Sequence, residues 1–146
     1  MPRRARLFAG LPQWLHRHRR PLAWLVSLRN ASPWLARRAE RWLGISAARQ
    51  IPAPAGQPFV AENPAGCGQH GKVALFVDTF THYYTPEVAT AAHAVLTAGG
   101  YAVEVLRPAV NDGEPGRPLC CGRTYLSQGM VDKAKAEGRR MMAALA

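Results

Sequence analysis

The chain has 146 residues and a mass of 16.0 kDa, room for one modest domain or for a small domain with an arm. Its net charge of +10 is unevenly placed: residues 1–55 carry eleven arginines and one acid, Glu40, whereas residues 56–146 carry eight basic and eight acidic side chains. No apolar run approaches the roughly 20 residues of a membrane-spanning helix, the first residues lack the apolar core of a secretory signal, and three cysteines do not make a disulfide framework. An apolar content of 48% argues against global disorder. A reducing, cytoplasmic setting is expected, with peripheral contact at the inner face of the membrane left open.

Residues 1–50 read as a basic, tryptophan-rich helical arm. Two short helices, Leu7 to Leu15 and Leu22 to Leu28, are expected on either side of the breaker Pro21. A third follows, with Ser32 as N-cap, Pro33 at its first position and Gly44 as its stop. The spacing places Trp34, Leu35, Ala39, Trp42 and Leu43 on one broad side, with Arg37, Glu40 and Arg41 opposite and Arg38 near the tryptophan edge. All four tryptophans, Trp14, Trp24, Trp34 and Trp42, lie in this arm. Three uses of the arm stay open. It is a linker packing its apolar stripe on a neighbouring domain, a surface for anionic membrane, or a surface for nucleic acid. No sequence-reading nucleic-acid motif is present, which makes the last the weakest.

Residues 51–71 hold four prolines and four glycines with almost no periodicity, the composition of a linker. Cys67 and His70 fall here, but no second pair at zinc-finger spacing follows.

Residues 72–146 read as a small parallel βαβ-type module, so the fold class expected is α/β. Lys72 to Val77 is a near-continuous apolar run, as in a buried parallel strand. A polar and aromatic turn, Asp78 to Thr85, leads to a helix capped by Thr85, begun by Pro86 and ended at Gly99-Gly100. Tyr101 to Leu106 supplies a second strand, parallel to the first. After a flexible stretch comes Leu119-Cys120-Cys121-Gly122. A final helix then runs from about Gly129, with Val131, Ala134, Gly138, Met141 and Leu145 along one face. Ligands of parallel α/β units collect beyond the carboxyl ends of the strands, where Asp78 to Tyr84 and the cysteine turn are both expected. Adjacent cysteines before a glycine suit two thiolates aimed at one polynuclear centre. Two buried thiols packing as small apolar groups are the competing reading.

The block from Val73 to Leu145, with LFVDTFTHYYTPE, GRPLCCGRTYLSQG and VDKAKAEGRRMMAAL, resembles the CCG-type cysteine-rich domain. That domain occurs in heterodisulfide reductase subunits, glycolate oxidase iron–sulfur subunits and the C-terminal part of FAD-linked oxidases. The arm resembles the linker that precedes it in the fused oxidases. The resemblance implies an iron–sulfur-binding, electron-transfer segment of an FAD-linked oxidoreductase. It implies a cluster of 4Fe-4S type, FAD only in the parent protein, and flavin-containing and ferredoxin-like domains as partners. Cys120, Cys121 and Gly122 match its central motif, with Cys120 and Cys121 as metal ligands. The family's lone cysteine after the first strand falls at Asp78 or its neighbours, none of which is cysteine, and Asp78 or His82 are the candidates for that position. The chain stops 25 residues beyond Cys121, before the family's later cysteine would arrive, so an incomplete unit with no complete active site is expected. The alternative is a non-redox scaffold or docking module, with the cysteine pair as relics or as a vicinal disulfide switch.

Overall fold

The computed structural model describes residues 3–60 and 68–145; Cys67 lies outside the described residues. In the arm, α1 spans Arg3–Ala9, α2 Leu11–Ala31 and α3 Pro33–Leu43. The start of α3 is as expected: Ser32 Oγ accepts from the Leu35 amide at 3.4 Å, and Gly44 closes the helix at φ 69°. The expected break at Pro21 is corrected. Helix α2 continues through it, and the backbone departs from helical values at His18 instead, φ −132° and ψ 30°. A proline ring collides with the carbonyl four residues earlier, here Arg17, so the bend falls one residue past that carbonyl rather than at Pro21 itself. The helix expected over Leu7 to Leu15 is interrupted at Gly10, between α1 and α2.

Helix α3 buries only a narrow side. Ala36 is buried, Leu35 and Ala39 half-buried, while Trp34 and Trp42 are 63% and 78% exposed. Small residues let α3 lie close to α2, and the bulky indoles are left outside. The arm meets the rest of the chain through an equally slender strip. Ala5, Ala9, Pro12 and Leu15 are buried, and α1 approaches the short helix after the cysteines while α2 approaches the helix after the first strand.

Beyond the arm, β1 (Lys72–Leu75) pairs in parallel with β2 (Ala102–Val105), Lys72 opposite Ala102 and Leu75 opposite Val105. Two helices occupy the crossover, α4 (Thr79–Tyr84) and α5 (Pro86–Ala98). Among the described residues the architecture is therefore mixed α/β, with a two-stranded parallel sheet. Helix α4 stands where a turn was expected, because the Asp78 carboxylate accepts from the Thr81 amide at 2.7 Å and starts a helix. Thr85 precedes α5 without a side-chain cap bond, against expectation, and Pro86 alone marks the start.

Strand β1 is not buried on both faces: its residues alternate between exposed and half-buried. With only one partner strand, just the inward side chains find cover. The small core holds Phe59, Val77 and Ala89, with Leu75 and Val105 against it. Phe59 comes from the segment read as a free linker. That segment is stitched to α4 by backbone bonds, Ala55 N–H to Tyr83 O at 2.7 Å and Phe59 N–H to His82 O at 2.9 Å. Arg19 of the arm donates to the Ala55 and Gly56 carbonyls from the other side.

After β2 the chain runs to α6 (Arg123–Leu126) and α7 (Val131–Ala143). Of the apolar stripe expected on α7, Ala134, Gly138 and Met141 are half-buried, but Val131 and Leu145 are exposed. The most buried side chain of α7 is an acid. Glu137 grips Arg117 through both carboxylate oxygens, at 2.8 and 3.1 Å, with 7% and 4% of the two side chains exposed. Arg117 Nε also donates to Glu114 Oε2 at 2.6 Å, and Arg17 of the arm reaches Glu114 Oε1 at 3.1 Å. Arg140, one turn beyond Glu137, donates to Asp112 Oδ2 at 2.6 Å and to the carbonyls of Glu114, Arg117 and Pro118. The stretch expected to be flexible, residues 109–118, is thus clamped to α7 by two arginines and three acids.

Removing one partner of a buried ion pair strands the other charge and costs about 3–5 kcal/mol. Glu137→Ala and Arg117→Ala are each expected to lower urea-derived stability on that scale, whereas Arg117→Met/Glu137→Leu together lose less than either.

Acid exposes the same clamp. Burial alone raises the Asp112 and Glu114 carboxyls, but the Glu114 amide and Arg140 at Asp112, and Arg117 and Arg17 at Glu114, outweigh it and hold both below ordinary values. Depressed carboxyls give stability that is present above the unfolded values and is lost as pH falls through the folded ones, here below about pH 4. His82 and His16 are depressed chiefly by burial, opposed at His16 by the Glu114 charge. They add an earlier loss that starts near pH 6.5, where the unfolded chain first takes up protons. A pH series of urea midpoints should therefore fall in two stages, with the acid stage reduced in Asp112→Asn.

Candidate functional site

The carboxyl ends of β1 and β2 open onto a cavity of about 340 Å³. Val77 and His82 line it from the β1 side, Leu106 and Arg107 from the β2 side, Phe59 from the strap, and residues 115–119 from the clamped loop. This is the edge where parallel α/β units gather ligands. Of the residues expected at this edge, His82 lines the cavity, and Asp78, Cys120, Cys121 and Gly122 do not.

The cysteine turn stands beside this cavity and not in its wall. Thr79, wholly buried at the start of α4, donates from Oγ1 to the Leu119 carbonyl at 3.3 Å, which brings Cys120 under the Asp78–Thr79 corner. Cys120 is 2% exposed, whereas Cys121 is open to solvent. Burial pushes the Cys120 thiol above its ordinary value, and the Gly122 amide and Thr79 hydroxyl beside it do not reverse this. Cys120 is therefore a neutral thiol at neutral pH. Neither reading of the pair is met in full, because one thiol is packed and the other presented.

Gly122 has a use that does not involve a ligand. Its φ is +76°, and a Cβ there would lie 2.8 Å from the Ala134 carbonyl oxygen of α7. Both the backbone conformation and the helix contact exclude a larger residue. The glycine admits α7, and through α7 the clamp.

The other candidates take separate places. Asp78 is half-buried with its carboxylate engaged as the α4 cap. His82 faces the cavity, its ring edge-on to Tyr83 at 4.5 Å and to Phe59 at 6.4 Å. His82 is kept largely neutral by burial, with Arg19 and His16 adding to the effect. His70 lies elsewhere, against Tyr101.

Among the described residues no three His, Cys, Asp or Glu side chains gather as a metal-ligating group. A four-thiolate cluster thus fits these residues only in part: the turn offers two sulfurs, one of them needing the turn to open. Thr79 and the Arg117–Glu137–Arg140 clamp, which position the pair, escaped the sequence reading. Their one trace was Glu137 and Arg140, charges three residues apart beside the apolar positions of α7.

No family model, no curated protein and no solved structure matches the chain.

Burial and thiol acidity together set reactivity. Brief iodoacetamide treatment of the folded chain at pH 7.5 should label Cys121 and spare Cys120, both labelling fully in urea, as read by fragment-ion mass spectrometry. Equal labelling of the two in the folded chain would contradict the arrangement described.

Proposed function

We propose that the chain is a cysteine-rich α/β module of an FAD-linked oxidoreductase. In this reading Cys120 and Cys121 furnish two thiolates of an iron–sulfur centre of 4Fe-4S type. The carrying observation is the Cys-Cys-Gly turn itself, fixed by Thr79 and α7 beside the carboxyl edge of a parallel strand pair, with Cys121 presented to solvent. The resemblance of residues 73–145 to CCG-type domains supplies the chemical class. Such a centre, when bound, moves single electrons between a flavin and an acceptor.

The chain's own part is structural. Thr79 and Gly122 orient the turn beside the clamp, and Cys121 is ready for ligation, while Cys120 joins it when the turn opens and metal replaces its proton. The remaining ligands come from outside the described residues, and flavin-containing and ferredoxin-like domains or subunits of the same enzyme are the partners in electron transfer. The substrate is oxidised by those parts and not by this one.

The burial of Cys120 favours a second reading, a non-redox docking scaffold in which the pair is a packing element. Anaerobic reconstitution of the full chain with ferrous iron, sulfide and a small thiol to fill the open ligand positions separates the two. Iron and sulfide retained through gel filtration, with sulfur-to-iron charge-transfer absorption, both lost in Cys120→Ala/Cys121→Ala, are expected. Iron retention that is absent, or equal in the double variant, supports the scaffold.

A further inference from the structure

Helix α3 carries an unusual outward face. Trp34, Arg38 and Trp42 recur every four residues and so lie along one line of the helix. The Arg38 guanidinium sits over the Trp34 ring, 5.2 Å from its centroid, a cation–π arrangement. Arg37 and Arg41 are exposed beside this line. The indoles are not remnants of an unfinished core, because α3 already buries Ala36 and half-buries Leu35 and Ala39 on its other side. Among the described residues, Arg37, Arg38 and Arg41 form no ion pair. Glu40, the one acid of residues 1–55, is engaged by the Ala47 amide at 3.2 Å.

We propose that the outward face of α3 is a docking surface for an anionic phospholipid bilayer. The argument rests on the arm alone and is independent of the iron–sulfur reading. Arginines meet lipid phosphates at the charged surface, each adding to the attraction. Indoles settle at the headgroup level, where an apolar ring with a polar N–H is best accommodated. Nucleic acid answers the charge equally well, but Arg38 already covers one face of Trp34 that a base would stack upon. No helix among the described residues is long and apolar enough to cross a membrane, so the contact lies in the plane of the interface.

The test is flotation of the full chain with vesicles of phosphatidylcholine alone or with one third phosphatidylglycerol. Binding to the anionic vesicles only, with a blue shift of tryptophan emission and weakening in salt, is expected. R37E/R38E/R41E should reduce partitioning by about a hundredfold or more. W34A/W42A, exposed sites whose circular dichroism should match the parent, should reduce it about tenfold or more while leaving most of the salt dependence. Three results overturn the proposal: no binding to anionic vesicles, undiminished binding by W34A/W42A, or removal of the chain from vesicles by a single-stranded RNA at equal phosphate concentration. The last assigns the face to nucleic acid.

Discussion

The grip of Arg117 on Glu137 is the contact around which the second half of the molecule is arranged. It buries two charges in a chain with little apolar core to spare, and it is tolerable only because every arm of the pair is answered. Both carboxylate oxygens meet guanidinium nitrogens, the third nitrogen meets Glu114, and Arg140 collects the loop carbonyls that α7 would otherwise leave bare. A loop rich in proline and glycine becomes a fixed wall of the cavity, and the cysteine turn that follows inherits its position. Arg17 extends the same network into the arm, adding charge to a strip where Ala5, Ala9, Pro12 and Leu15 are buried and where Arg19 and His16 also bond across.

How much of this was legible follows from what each element depends on. Strand β1, helix α5 and strand β2 depend on local signals, a run of apolar residues, Pro86 and Gly99-Gly100, and they lie where those signals put them. Helix α3 was legible at its ends for the same reason, since Ser32 and Gly44 act within one turn. Periodicity groups Trp34 and Trp42 with Leu35 and Ala39, and the approach of α2 divides that group, half-burying Leu35 and Ala39 beside the buried Ala36 and leaving the indoles outside. The clamp was illegible because Arg117 and Glu137 stand twenty residues apart, and neither spacing nor propensity marks a charge that will be buried. Phe59 hid within a linker composition in the same way.

The cysteine turn shows a subtler limit. Its motif, its glycine and its side of the sheet could all be read in advance, yet the two thiols were read as equivalent. Thr79 makes them unequal by drawing the Leu119 carbonyl inward, so that the backbone turns Cys120 under α4 and Cys121 out. Adjacent residues in an extended or tightly turned segment point to different sides. A pair of identical groups thereby becomes one protected and one available.

The bend in α2 carries a mechanical consequence. From His18 to Ala31 the helix is anchored at its near end, where Arg19 holds the strap, and leads at its far end into α3. About thirteen residues of helix make a rod of roughly 20 Å. Its far end is tied as well: the Asn30 side chain meets both the amide and the carbonyl of Ile51, and Arg29 donates to the Ser46 and Arg49 carbonyls. The rod is therefore a strut held at both ends by the chain that runs into the strap, and the bend at His18 sets the angle at which it spans them.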